Sequence, residues 1–113
     1  MSCLFCKIVK REIPATIVYE DDRLLAFRDI SPKAPHHVLL VPKRHIATLN
    51  ELTAADDGLV GEIVRRAAAI AKDLGVHDSG YRTVFNTNGD GGQTVFHLHL
   101  HLLGGRPMEW PPG

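Results

Sequence analysis

Seven residues beginning at His97, HLHLHLL, place three of the chain's seven histidines on alternate positions. In an extended strand successive side chains point to opposite faces, so His97, His99 and His101 would share one face and Leu98, Leu100 and Leu102 the other. The leucines read as core and the imidazoles as chemistry. Imidazoles two positions apart lie roughly 6 to 7 Å apart along a strand, a span that a phosphate, a metal ion or a proton relay can bridge. Three readings of this face compete. It is a solvent-facing edge of an amphipathic strand, an open three-histidine metal site, or a nucleophile with flanking proton donors.

A second chemical feature stands at the start of the chain. Cys3 and Cys6 are the only cysteines and are spaced C-x-x-C. In an intracellular chain that spacing reads as a metal or redox pair, against the plainer alternative of two partly buried thiols. The redox reading lacks the preceding strand and βαβ pattern that it needs.

These residues must be positioned by a small scaffold. A chain of 113 residues fits a single domain, 1–113, with 104–113 as a C-terminal loop. Thirteen basic and 13 acidic side chains cancel to a formal charge of zero, which argues against a long nucleic acid or a membrane surface as partner. There is no apolar run of about 18 residues, and the charged start MSCLFCKIVKREIP lacks a signal peptide's apolar core, so a cytoplasmic location is expected.

Along the chain, Leu4 to Lys10 reads as a short helix ended by the extended bias before Pro14. Ile17–Glu20 and Leu24–Arg28 flank the polar Asp21-Asp22-Arg23 turn and read as a hairpin, and His37–Pro42 as a third strand. Thr53 with Asp56 forms a capping box that should start a helix of about twenty residues, with Leu59, Ile63, Ala67, Ile70 and Leu74 on its apolar stripe and Gly75 closing it. Tyr81–Thr87 and Val95–Leu103 complete the set as strands around the glycine-rich NGDGGQT loop. The pattern predicts an α+β domain with an antiparallel sheet of about five strands and one long helix. The Pro- and Gly-rich tail GGRPMEWPPG reads as a defined loop anchored by Trp110, while His36 and His77 sit in polar loop contexts and take no role.

The HLHLHLL segment resembles the H-φ-H-φ-H-φ-φ signature (φ, apolar) of the histidine triad family. The likeness extends through CLFCKIVKREIPATIVYEDD, AFRDISPKAPHHVLLVPKRHI and GYRTVFNTNGDGGQTVFHLHLHLLGGRPMEWPPG to nearly the whole chain, on the Hint branch of nucleoside phosphoramidases. It implies a HIT-like α+β fold in a homodimer, a purine nucleotide (AMP-like) ligand, and hydrolysis of the P–N bond through a nucleotidyl-histidine, with no cofactor for catalysis. His99 would be the nucleophile, and His101 and His37 would bind phosphate oxygens and help move the amine's proton.

The resemblance implies further roles. Gly92, Gln93, Thr94 and Val95 would cradle the phosphate together with Asn86, and Thr94 stands where relatives often carry serine, which keeps the hydroxyl but restricts its rotamers. Asp29 would accept hydrogen bonds from both ribose hydroxyls, and Leu4, Phe5, Ile8, Phe27 and Ile30 would form the slot for the base. Cys3, Cys6, His45 and His97 match the ligands of a structural zinc that ties the N-terminal helix to the sheet, away from catalysis. As such a staple, the metal would be needed for stability, and folded protein without it would stay active. The alternatives to a phosphoramidase are a nucleotide-binding scaffold with incidental hydrolysis, and a dinucleoside polyphosphate hydrolase, whose tail differs from GGRPMEWPPG.

Overall fold

The computed structural model describes residues 3–113. A short helix α1 (Leu4–Val9) is capped by Cys3, whose sulfur accepts from the Cys6 N–H at 3.4 Å. Strands β1 (Ile17–Glu20) and β2 (Leu24–Arg28) form the expected hairpin. Its turn is set by Asp21, whose Oδ1 accepts from the N–H groups of both Arg23 and Leu24 at 2.8 Å. Strand β3 (His36–Pro42) pairs with β2, helix α2 (Asp57–Asp73) crosses over, and β4 (Tyr81–Phe85), a single helical turn α3 (Asn88–Gly91) and β5 (Leu100–Gly104) follow. The five strands run antiparallel in the order β1-β2-β3-β5-β4, so the histidine-bearing β5 lies inside the sheet.

The two faces of the sheet hold different residues because side chains alternate. One face presents Leu24, Ala26, Val38, Leu40, Leu100 and Leu102 to Leu59, Ile63, Ala67, Ile70 and Ala71 of α2, and this is the main core. The other presents Leu25, Phe27, Leu39 and Val41 to Phe5 and Ile8 of α1. On this second face His101 stands beside Leu39 and His37 beside Leu103.

Several elements depart from expectation. Thr53 does form the capping box with Asp56, but the box caps a 3-10 turn (Ala54–Asp56), and α2 begins only at Asp57 and runs 17 residues. Gly75 at φ +76° follows it as the left-handed residue that the chain reversal needs. The histidine strand is shorter than the expected Val95–Leu103. Pro42 ends β3 and has no N–H to prolong the ladder, and its carbonyl accepts the His97 Nε2–H at 2.7 Å instead. Residues 95–99 therefore approach the sheet as a bent segment, and β5 starts at Leu100. Strand β4 stops at Phe85 rather than Thr87 because the chain turns into α3, entered through a left-handed Asn88 at φ +58°. His36 is not a loop residue. It opens β3 half-buried, and its Nδ1 is buried without a partner. His77 is exposed, 3.4 Å from the Asp78 carboxylate. Trp110, expected as an anchor, is 82% exposed.

Candidate active site

The bent approach to β5 decides how the histidines are presented. His99 is buried, and its Nδ1 lies 2.7 Å from the His97 carbonyl oxygen. A carbonyl only accepts, so Nδ1 carries the proton and Nε2 is left with a free lone pair. Phe5 packs edge-on against this ring at 5.0 Å between centroids. Burial pushes the His99 pKa down, which keeps the imidazole neutral. A neutral imidazole with a fixed tautomer and one lone pair free is a nucleophile in waiting.

The next two histidines form a chain of defined polarity. The Lys33 N–H donates to His37 Nδ1 at 3.0 Å, so His37 must carry its proton on Nε2. That nitrogen donates to His101 Nδ1 at 2.9 Å, which leaves the His101 proton on Nε2. His101, 4.8 Å from His99 between ring centroids, thus offers a donor beside the free lone pair of His99. Burial first, then the neighbouring His99 and His37, pushes His101 down to about 4. Burial also lowers His37, opposed by the Asp29 carboxylate, whose Oδ2 lies 3.5 Å from its Nε2. His37 was expected to touch phosphate oxygens, but it is 4% exposed and stands behind His101, outside the cavity wall. Its part is to fix the His101 tautomer.

A cavity of about 260 Å³ opens in front of His99 and His101. Leu4, Phe5, Ile8, Phe27 and Ile30 all line it, joined by Ile13, Pro14, Ala15 and Leu39, which the sequence did not single out. Ile30 is at the rim, 96% exposed. Asp29 lies in the wall, and the other polar lining residues are Arg28, Thr94 and the two histidines. Asp29 Oδ1 accepts from the Ser31 N–H at 2.8 Å, so one of its two oxygens is used to cap a turn.

The glycine-rich loop divides. Thr94 and Val95 line the cavity, while Gly92, Gln93 and Asn86 do not. Gln93 is buried and turned inward, with Nε2 donating to the carbonyls of Ala47 (2.8 Å) and Val95 (3.1 Å) and Oε1 accepting from Asn88 N–H (2.9 Å). It holds the loop in shape rather than facing a ligand. Gly92 closes α3 at φ +85°, which a side chain would strain.

Behind His99 the four residues Cys3, Cys6, His45 and His97 converge, with one ligand atom from each lying within 4.8 Å of the others. His97 is fully buried, and because its Nε2–H is spent on Pro42, its Nδ1 lone pair points into the cluster. That nitrogen lies 3.3 Å from His45 Nδ1 and 3.4 to 3.5 Å from the two sulfurs. A tetrahedron with arms of about 2.0–2.1 Å to nitrogen and about 2.3 Å to sulfur has edges of about 3.3 Å and 3.6 Å, so the donor set and its spacing fit a zinc-like ion. Burial and the neighbouring Cys3 push the Cys6 thiol up, opposite to the low pKa of a redox thiolate.

Comparison with known proteins agrees with this geometry. A HIT domain model matches residues 10–108. The chain belongs to the HIT domain family. It is similar to a HIT family hydrolase from Legionella pneumophila Philadelphia 1, at TM-score 0.98 and 57% identity over 99% of this chain and 100% of that one. A histidine triad protein from Clostridium difficile superposes at TM-score 0.93 with 46% identity over 96% and 95% of the two chains. The purine nucleoside phosphoramidase of Escherichia coli K12 is 50% identical over 105 residues, 93% of this chain and 88% of that one. These relationships establish the HIT fold and support hydrolase activity. Among the described residues no helix is long and apolar enough to cross a membrane.

Proposed function

We propose that this HIT protein hydrolyses purine nucleoside 5′-phosphoramidates through a nucleotidyl-histidine at His99. The observation that carries the reading is the 2.7 Å contact of His99 Nδ1 with the His97 carbonyl, which leaves Nε2 unprotonated beside a nucleoside-sized apolar cavity. The Nε2 lone pair attacks the α-phosphorus, the P–N bond breaks, and the amine leaves with a proton. His101 Nε2–H, held in place by His37, supplies a hydrogen bond or that proton. Water then cleaves the P–Nε2 bond and frees the nucleotide. The base would occupy the slot of Leu4, Phe5, Ile8 and Phe27, the ribose would meet Asp29 Oδ2, and Thr94 would face the departing group. Identity to a protein named for phosphoramidase activity favours this bond over the polyphosphate linkage.

The same reading places a structural zinc on Cys3, Cys6, His45 and His97, whose reduced thiols suit a cytoplasmic compartment. It also includes a homodimer, for which the exposed Tyr81 on edge strand β4 and the free indole of Trp110 offer surface. The decisive experiment is steady-state release of AMP from an adenosine 5′-phosphoramidate by wild type beside His99→Ala. Turnover by wild type alone supports the covalent route. Tight AMP binding without turnover would make the site a binding face.

A further inference from the structure

The cysteine–histidine cluster and the nucleophile share one peptide group. The carbonyl of the His97–Leu98 peptide accepts from His99 Nδ1 at 2.7 Å, and the N–H of the same peptide donates to the Ile46 carbonyl at 2.6 Å. Ile46 follows the cluster residue His45, and His97 is itself a cluster residue. The group that fixes the His99 proton therefore begins at one cluster residue and is held at its N–H end by the chain neighbour of another. A second tie runs through α1. Phe5 lies in sequence between Cys3 and Cys6 and packs edge-on on both His97 and His99, with centroids 6.0 and 5.0 Å away.

We infer that Cys3, Cys6, His45 and His97 act as a positioning unit for catalysis, holding the His97–Leu98 peptide and Phe5 so that His99 keeps its proton on Nδ1. This rests on the metal and nucleophile assignments made above, and it replaces the picture of a staple remote from the chemistry. The physical argument is one of restraint. With no ion, the His97 ring keeps its bond to the Pro42 carbonyl, but its Nδ1 faces His45 Nδ1 at 3.3 Å between two sulfurs and no common ligand ties the four side chains together. Drift of α1 or of the His45–Ile46 segment then moves the Phe5 edge or the peptide whose carbonyl holds His99. Once the Nδ1–H loses its acceptor, the proton is free to shift to Nε2, and the nucleophile's lone pair is lost. Loss of the outer partners of metal-ligating histidines typically changes metal affinity or activity by about 10- to 100-fold, which sets the scale for such positioning.

The test removes and restores zinc ion alone, under reducing conditions, in the full chain. Long-range proton–nitrogen NMR reads the His99 tautomer, circular dichroism reads the fold, and AMP affinity and kcat on the phosphoramidate are measured together. The expected result is that folded, metal-free protein shows mixed His99 tautomers and a kcat about tenfold lower or more, with AMP affinity nearly unchanged and full recovery on adding zinc. If the stripped protein unfolds, Cys3→Ser keeps three donors and serves instead, with the same shift expected. A folded, metal-free protein with a single Nδ1–H tautomer and wild-type kcat would overturn the inference. Failure of the wild type to take up zinc would overturn the metal assignment and the inference with it. A tautomer shift in a protein that never cleaves the phosphoramidate would uphold the positioning unit and overturn only the proposed activity.

Discussion

The two faces of the sheet are made from alternate residues of the same strands, yet they do opposite jobs. On the α2 face, Val38, Leu40, Leu100 and Leu102 meet a 17-residue helix and are sealed from water. On the other face, Leu25, Phe27, Leu39 and Val41 pack against the six-residue α1 together with Ile13, Ala15 and Val95, and a cavity stays open beside His99 and His101. The contrast teaches where stability and function reside. A dry, fully packed face supplies the stability that lets the opposite face hold several imidazoles out of water, where each resists protonation.

The sharpest way to break this comparison is to change one residue on each face. His99→Ala should lower turnover by about a thousandfold or more, as loss of a covalent nucleophile does, while the midpoint of urea unfolding hardly moves. Ile63→Ala should do the reverse. Ile63 is fully buried under the sheet, so its truncation should cost about 2–5 kcal/mol with kcat per folded molecule unchanged. If His99→Ala unfolds the protein, or Ile63→Ala abolishes chemistry in folded protein, the division of labour is wrong.

A subtler measurement sharpens the polar end of the cavity. Asp29→Asn keeps an oxygen for the Ser31 N–H but replaces the other carboxylate oxygen, so the turn should survive. AMP binding should weaken by about 1–2 kcal/mol, and wild type should prefer AMP over its 2′-deoxy form by a similar margin that disappears in the variant. Equal binding of the two nucleotides by wild type would refute the ribose assignment.

Much of this was legible in the sequence, and the reasons differ by residue. The β1–β2 hairpin is set by local signals, two β-rich runs on either side of the turn around Asp21, and lies where they put it. The cavity wall of Leu4, Phe5, Ile8 and Phe27 likewise matches the family pattern. What stayed hidden depends on backbone groups, which leave no mark in residue type. The Pro42 carbonyl assigns the His97 proton, the Ile46 carbonyl holds the Leu98 N–H, and the Lys33 N–H sets the direction of the His37–His101 chain. The same tertiary bonds bend residues 95–99, which is why alternation alone overextended the strand. That the Gln93 side chain braces the loop was not legible, because its type fits a phosphate loop and an internal brace equally well and only the carbonyls around it show which bonds it makes.

The remaining effect concerns acid and is spread over a range of pH. In the fold, the Lys33 N–H donates to His37 and the His37 N–H to His101, so a second proton on either ring would set donor against donor. Both histidines are accordingly held below the ordinary value of 6.5, His101 at about 4, chiefly by burial. Between pH 6.5 and about 4 the unfolded chain takes up protons that the folded chain refuses, so stability is fully present above 6.5 and declines as pH falls through that window. One histidine contributes at most about 1.4 kcal/mol per pH unit. The carboxylates Asp21 and Asp56, held low by hydrogen bonds, add their losses only below the usual 3.8. Urea unfolding across this range should therefore show a shallower slope for His101→Asn than for wild type, since the other titrating groups are common to both. Identical slopes would mean that His101 is no harder to protonate in the fold than in the open chain, and the directed histidine pair would lose its physical basis.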